Sequence, residues 1–289
     1  MTKKPLTQFP TFRRLTVSFH LSVILVMAVL AGTIVCAACS SDDDNKTGHS
    51  KNFTEKLMGR WMCTIVDGNP CVTNYNYVLN FISPTKAYRS YSPNANMGMS
   101  DFWENRAECS VNIAGKVTVT AHYDTGLTST SEYNVVSITE NDMVAMVKHN
   151  ITYNGKEIFV PEHNTERFKK VTKDYAQDII GTWEGRITSE ESEYDDGKLH
   201  RWEYKADGTY VYYTLNDDGQ WERYDNTYAL YFVDGTLLCM RWKNNGEDTE
   251  QREWWEIESI QNGVMKWTAV RKRDDGTTYT ASFQMTKVQ

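Results

Sequence analysis

One register runs through most of the chain. Asn52-Phe-Thr-Glu55 ahead of Leu57-Met58-Gly59-Arg60-Trp61 returns as Asp174-Tyr-Ala-Gln177 ahead of Ile179-Ile180-Gly181-Thr182-Trp183, 122 residues later at every matched position. The same offset pairs Ser137-Ile138 with Ser259-Ile260 and Met143 with Met265. Trp103-Glu104 and Gly115 have counterparts, slightly shifted, at Trp221-Glu222 and Gly235. Both copies end on a similar segment, Phe168-Lys-Lys-Val171 and Phe283-Gln-Met-Thr-Lys-Val288. A register held from first element to last argues for two tandem domains, 52–171 and 174–289, with almost no linker. Each opens on Asn or Asp followed three residues later by Glu or Gln, a capping box that predicts a short helical turn leading into a strand.

Both copies read as antiparallel β. In the second, Asp207-Gly208, Asp218-Gly219, Asp234-Gly235, Asn262-Gly263 and Asp275-Gly276 punctuate runs rich in aromatic and β-branched residues. Such dipeptides suit tight hairpins, because glycine accepts positive φ without steric cost. The runs are 182–188, 199–206, 209–215, 227–233, 236–242, 250–260, 264–271 and 277–288, about eight strands. The first copy alternates in the same way, as in Tyr75-x-Tyr77-x-Leu79-x-Phe81 and Val117-x-Val119-x-Ala121-x-Tyr123. The predicted fold class is all-β: two tandem up-and-down barrels of about eight strands, a topology that closes on itself and removes its edges.

The chain of 289 residues is 40% hydrophobic, enough for packed cores, and its net charge of -7 argues against a nucleic-acid partner. Its N-terminus reads as an address. Lys3, Lys4, Arg13 and Arg14 precede an apolar run centred on residues 21–31, followed by Cys36-Ala37-Ala38-Cys39. This is the layout of a secretory signal, with an uncleaved anchor helix over 15–35 as the alternative, and its end resembles a bacterial lipobox with Cys39 as the acylated residue, Cys36 replacing the usual aliphatic side chain. Ser40-Ser41-Asp42-Asp43-Asp44 resembles the acidic export signal of Bacteroides-type surface lipoproteins. The resemblance implies a signal peptide over 1–38, a flexible acidic tether over 39–51, and a protein lipid-anchored on the outer face of a Gram-negative outer membrane. Removing residues 1–38 leaves 27 basic and 38 acidic residues, a net charge of -11.

Gly59-Arg60-Trp61 and Gly181-Thr182-Trp183, each opening a first strand after a helical turn, resemble the Gly-x-Trp signature of lipocalins and related calycins. In that family the tryptophan closes one barrel end beneath a basic residue of the last strand. The candidates are Arg167, Lys169 or Lys170 in copy one and Lys287 in copy two; no arginine sits at the diagnostic place in copy two. The resemblance implies a small apolar or amphipathic ligand inside a barrel. An eight-stranded barrel is barely wide enough for one and is as readily filled by its own side chains.

Strand parity sorts the remaining candidates. Trp202 and Tyr204, Trp255, and Met265 with Trp267 are expected to point inward, lining a cavity or forming core. Trp254 shares the opposite face with Glu256 and Glu258 and is expected to face solvent, where it would stack on a glycan or contact a protein; covering the neighbouring barrel is the alternative. Catalytic and metal sites are not expected. The histidines His49, His122, His149, His163 and His200 lack metal-ligand spacing, and Glu162-His163 with Glu166 reads as a solvated loop. The acidic run 189–197 lacks calcium-loop spacing. No nucleotide or nucleophile motif is present, so no cofactor is expected. Cys63 and Cys71 flank a turn, and either a Cys63–Cys71 or a Cys71–Cys109 bridge is open; Cys239 reads as a buried thiol.

Overall fold

The alternating runs fold into antiparallel sheets, seen in a computed structural model that describes residues 51–71, 75–93, 103–123, 126–159, 163–189, 197–273 and 275–288. The signal segment with Cys39, the tether up to residue 50, His49, Glu162 and most of the acidic run 189–197 lie outside the described residues. The first half holds α1 (Lys51–Leu57), β1 (Gly59–Val66), β2 (Asn69–Pro70), β3 (Tyr75–Ser83), β4 (Lys86–Pro93), β5 (Glu104–Asn112), β6 (Val117–His122), β7 (Leu127–Ile138), β8 (Asp142–Tyr153), β9 (Lys156–Phe159) and β10 (Asn164–Val171). The second holds β11 (Gly181–Ile187), β12 (His200–Tyr204), β13 (Tyr210–Leu215), β14 (Trp221–Arg223), β15 (Asn226–Asp234), β16 (Leu237–Asn244), β17 (Gln251–Gln261), β18 (Val264–Lys272) and β19 (Thr278–Val288).

The first sheet is a closed eight-stranded barrel in up-and-down order. β10 pairs with β1 at one side and with β8 at the other, and β2 and β9 add short flaps to β1 and β8. The second sheet runs β14-β13-β12-β11-β19-β18-β17-β16-β15. It curls until Thr209 meets Leu230 in a single bridge and the Tyr231 N–H donates to Gly208 O at 2.8 Å, so it is joined at one end only. The Asn262-Gly263 hairpin carries φ of 52° and 74°, the two positive values a type I′ turn requires.

The two helical starts differ. α1 begins at Lys51, so Asn52 lies inside its first turn and not at its cap, a correction to the capping-box reading. Asp174 does cap: its Oδ1 accepts the Ala176 N–H at 3.2 Å, and a single turn follows, closed by Ile179 N–H to Tyr175 O at 3.1 Å.

The barrels pack wall to wall in one compact unit. Asp234, fully buried at the end of β15, accepts from Arg60 Nε at 2.9 Å and Ser90 Oγ at 2.7 Å, with Arg106 Nε at 3.4 Å. Arg60 and Arg106 also reach Asp174 at 2.6 and 2.7 Å. Arg106 sits at φ 54° beside a register break between β4 and β5, a bulge that re-aims its side chain toward barrel 2. Trp103 lies against Phe232, 4.7 Å between centroids, and beneath Arg241.

This packing corrects the exposed reading of Trp254. On β17 it lies between Arg252, which approaches the Trp103 ring, and Glu256, which pairs with Lys169 of barrel 1. Trp254 is 5% exposed. Of the two carboxylates that made its face look solvated, Glu256 is a partner of barrel 1, while Glu258 is exposed.

Candidate functional site

Each barrel is shut at one end by the same device. The Trp61 Nε1–H donates to Leu57 O at 2.7 Å, and Trp183 Nε1–H to Ile179 O at 2.6 Å. Over these rings lie the ammonium groups of Lys170, 4.3 Å from its centroid, and Lys287, at 5.1 Å. Lys170 is thus the basic partner in copy one, not Arg167 or Lys169. Its ammonium also donates to Lys56 O at 2.9 Å and to Met58 O. Burial lowers the Lys170 pKa, with Glu140 acting in the opposite direction. Gly59 and Gly181 make room for these lysines: φ is 101° and 131°, and a Cβ would lie 3.1 Å from Lys170 Cε or 2.7 Å from Lys287 Cε.

The middle of barrel 2 is filled by aromatic side chains in mutual contact. Trp202, Tyr204, Trp255, Met265 and Trp267 all point inward and are buried. Trp267 stacks on Trp255 at 5.3 Å and meets Trp202 edge-on at 5.2 Å, while Phe283 meets all three tryptophans edge-on. They are core, in contact with one another. Above them Arg271, 1% exposed, lies over Trp255 at 4.2 Å and 3.6 Å from Glu253. His200 stacks on Tyr212, with Nδ1 2.7 Å from its hydroxyl. Burial pushes the Tyr204 and Tyr210 hydroxyls well above their usual pKa, with Glu253 adding to the effect.

Barrel 1 is different. Its lower half is apolar, with Trp61, Leu79, Phe81, Val117, Met143, Ala145 and Phe168 buried. Its upper half carries two polar clusters. In the first, Arg89 of β4 donates to Glu104 of β5 through Nε at 2.7 Å and Nη2 at 2.8 Å, and also to Ser129 at 3.2 Å and Tyr123 at 2.7 Å. Burial alone would lower the Arg89 pKa; the bonds to Glu104 outweigh it and hold the guanidinium charged. In the second, Glu166 of β10, fully buried, accepts from the Tyr77 hydroxyl and lies 3.0 Å from His149 Nε2. His149 Nδ1 is 2.9 Å from Ser131 Oγ. The Tyr133 hydroxyl is buried beside Tyr77 and Ser131 yet makes no well-formed hydrogen bond. Burial raises its pKa, and raises that of Tyr91 to about 12.

Glu166 corrects the solvated-loop reading. It sits in β10, two residues from Phe168 on the inward face, while His163 is exposed beside Lys116, Glu132, Asn134 and Met146 on the outer wall. Ser131, His149 and Glu166 combine a hydroxyl, an imidazole and a carboxylate, but in an arrangement poor for hydrolysis. Ser131 is 1% exposed and Glu166 fully buried, and of the three only His149 reaches solvent appreciably. Sequence parity could have placed His149 inward, since it alternates with Met143, Ala145 and Val147; its partners come from other strands.

All four described cysteines are thiols. Cys239 is fully buried, and burial followed by the Asp234 charge raises its pKa. Among the described residues no group of three or more His, Cys, Asp or Glu side chains is placed to hold a metal ion. A hollow of about 310 Å³ on the wall of barrel 2 is lined mostly by polar groups, among them Glu258, Lys266, Thr268 and Gln284.

No protein-family model matches the chain, and no curated protein does. Remote likenesses exist among solved structures. A protein of unknown function from the DUF3598 family of Nostoc punctiforme is 10% identical, covering 81% of this chain and 97% of that one at a TM-score of 0.24. A putative AttH from Nitrosomonas europaea is 9% identical, covering 78% and 91% at 0.24. A Trp-176-Ala mutant of transferrin binding protein B from Haemophilus parasuis is 8% identical, covering 80% and 75% at 0.22. Likenesses this remote carry no argument about function.

Proposed function

We propose that the protein is a non-catalytic binding lipoprotein, acylated at Cys39 and displayed on the outer membrane, whose first barrel takes a small amphipathic molecule at its polar end. The observation that carries this reading is the Tyr133 hydroxyl, buried beside Ser131, Tyr77 and the Glu166–His149 pair without a well-formed hydrogen bond. Tyr77 and Ser131 are its weak partners, and a ligand's donor or acceptor would give it a better one. The His149 side chain, 22% exposed, gives a route from solvent. Where barrel 2 places Trp267, barrel 1 has Ala145, 122 residues earlier, so only barrel 2 fills this position with an indole. Barrel 2 then serves as a solid support that covers one wall of barrel 1. The other reading, glycan or protein recognition through Trp254, loses its residue to the contact between the barrels.

The test is native mass spectrometry of the protein purified from its own envelope, with extraction of whatever is bound. Tyr133→Phe should keep its stability when empty and should bind the extracted molecule at least tenfold more weakly. Unchanged affinity in Tyr133→Phe would refute the site. An activity-free anchor test runs beside it: Cys39→Ala should abolish fatty-acid labelling and release the protein from the membrane fraction.

A further inference from the structure

We propose that Cys63 and Cys71 form a dithiol that closes to a disulfide on meeting a disulfide oxidant, locking the β1–β2 hairpin against the polar end of barrel 1. The sulfurs are already 3.7 Å apart, so closure to a bond of about 2.05 Å needs a movement under about 2 Å. Both backbones are fixed for it. Cys63 is held opposite Phe168 on β10, at the edge of a register break that ends at Ile65. The Cys71 N–H donates to Thr64 O at 2.9 Å, extending the β1–β2 ladder by one step. The other two thiols have no such arrangement. Cys109 on β5 turns its S–H to Ala107 O at 3.5 Å, and Cys239 belongs to the second sheet.

The chemistry balances by thiol–disulfide exchange. Cys71, 6% exposed against 0% for Cys63, is the sulfur nearer the surface. Cys71, the more exposed of the two, is therefore the sulfur that attacks first, while its hydrogen bond with Cys63 and then burial hold the Cys63 thiol pKa up. Its thiolate attacks the oxidant's disulfide, forming a mixed disulfide and releasing one thiol. Cys63 then displaces the second thiol, giving the intramolecular bond; two hydrogens leave the protein and the oxidant's disulfide is reduced to two thiols. The consequence reaches the site, because Cys63 Sγ is 3.9 Å from Glu166 Oε2. Closure removes the thiol hydrogen that faces this carboxylate. The inference stands on the thiol geometry and does not require a ligand in the barrel.

The reduced chain is equilibrated with oxidised glutathione and its intact mass compared with a sample treated with dithiothreitol. The expected result is a loss of two hydrogens. Cys63 and Cys71, which share the fragment 61–86 between Arg60 and Lys86, should resist alkylation after denaturation, while Cys109 and Cys239 are alkylated. The short loop predicts a rise in thermal midpoint of about 5 to 10 °C on oxidation, absent in Cys71→Ser and in Cys63→Ser. Full alkylation of the 61–86 fragment, a bond to Cys109 or Cys239, or a glutathione adduct that persists on Cys71 would each overturn the assignment. Because the mass and alkylation readouts use the unaltered chain, a variant that folds poorly leaves the test intact.

Discussion

Replacing Gly181 by alanine tests the closed end of barrel 2. The native φ of 131° is a conformation that residues with a Cβ seldom adopt, and holding alanine there costs on the order of 1–3 kcal/mol. The new Cβ would also lie 2.7 Å from Lys287 Cε. The lysine must then shift from its place over Trp183, losing a cation–π contact of about 0.5–1 kcal/mol. The sum is about 1.5–4 kcal/mol, read as a lower urea midpoint with unchanged slope. A double-mutant cycle separates the parts. In a Lys287→Ala background the backbone cost remains but the collision is gone, so Gly181→Ala should cost about 0.5–1 kcal/mol less there. Gly59→Ala should behave alike with a smaller coupling, because Lys170 Cε is 3.1 Å from the built Cβ. A cost below about 1 kcal/mol, or one that is identical with and without Lys287, would show that glycine is not there to seat the lysine.

Three further outcomes follow from the packing and the turns. Trp254→Ala should destabilise the protein by about 3–5 kcal/mol in urea titration, where an exposed tryptophan would leave stability unchanged. Asp234→Ala removes the acceptor of Arg60 Nε and Ser90 at the contact between the barrels, while Arg60 keeps Asp174, and should cost about 1–3 kcal/mol; Asp234→Asn, measured in the same titration, should cost less because the amide oxygen still accepts. Asp207 and Asp275, held by the hydroxyl and N–H of Thr209 and Thr277, have pKa values below the ordinary aspartate value. A depressed carboxylate stabilises the fold above its unfolded pKa, and that contribution fades as pH falls through the folded value. NMR titration should therefore place both below the aspartates of the unfolded chain, and Thr209→Val or Thr277→Val should raise the neighbouring aspartate.

Much of the wall order was legible because hairpin chemistry and alternation are local. Leu237-Leu-Cys-Met240 shows where locality also reveals a contact. A strand apolar on both faces is buried on both, and here Leu238 and Met240 face the barrel 2 interior while Leu237 and Cys239 face outward under barrel 1. Trp254 misled because the contact between the barrels also takes in Arg60, Arg252, Lys169, Asp234 and Glu256. A charged wall that meets another charged wall has the same pattern as one that meets water. Glu166 was misplaced for a related reason: the start of β10 is set by pairing with β1 and β8 on both sides, at separations no local window spans. The lysines over the tryptophans could be narrowed to a few candidates, but only register decides that Lys170 stands opposite Trp61 and Lys287 opposite Trp183.

The repeat itself carries the last step. Ser131 and His149 face each other across β7 and β8, and 122 residues on stand Glu253 and Arg271, 3.6 Å apart across β17 and β18. One place in the barrel wall therefore holds a polar pair in both copies, with its chemistry changed. In barrel 2 the Arg271 guanidinium lies on Trp255 over a packed aromatic layer. In barrel 1 the same height holds His149 and Ser131 around a carboxylate, with Tyr133 where barrel 2 has Trp255 and Ala145 where it has Trp267. A buried polar position retained at equivalent depth is expensive in both copies. Barrel 2 offsets it with an ion pair and a cation–π contact between its own groups. Buried groups without a good hydrogen-bond partner occur in both copies, among them the Tyr133 hydroxyl in barrel 1 and the Trp267 Nε1–H in barrel 2. The difference that remains is one of filling: the Trp267 indole occupies in barrel 2 the position that Ala145 holds in barrel 1, which fits the proposed division of support and recognition.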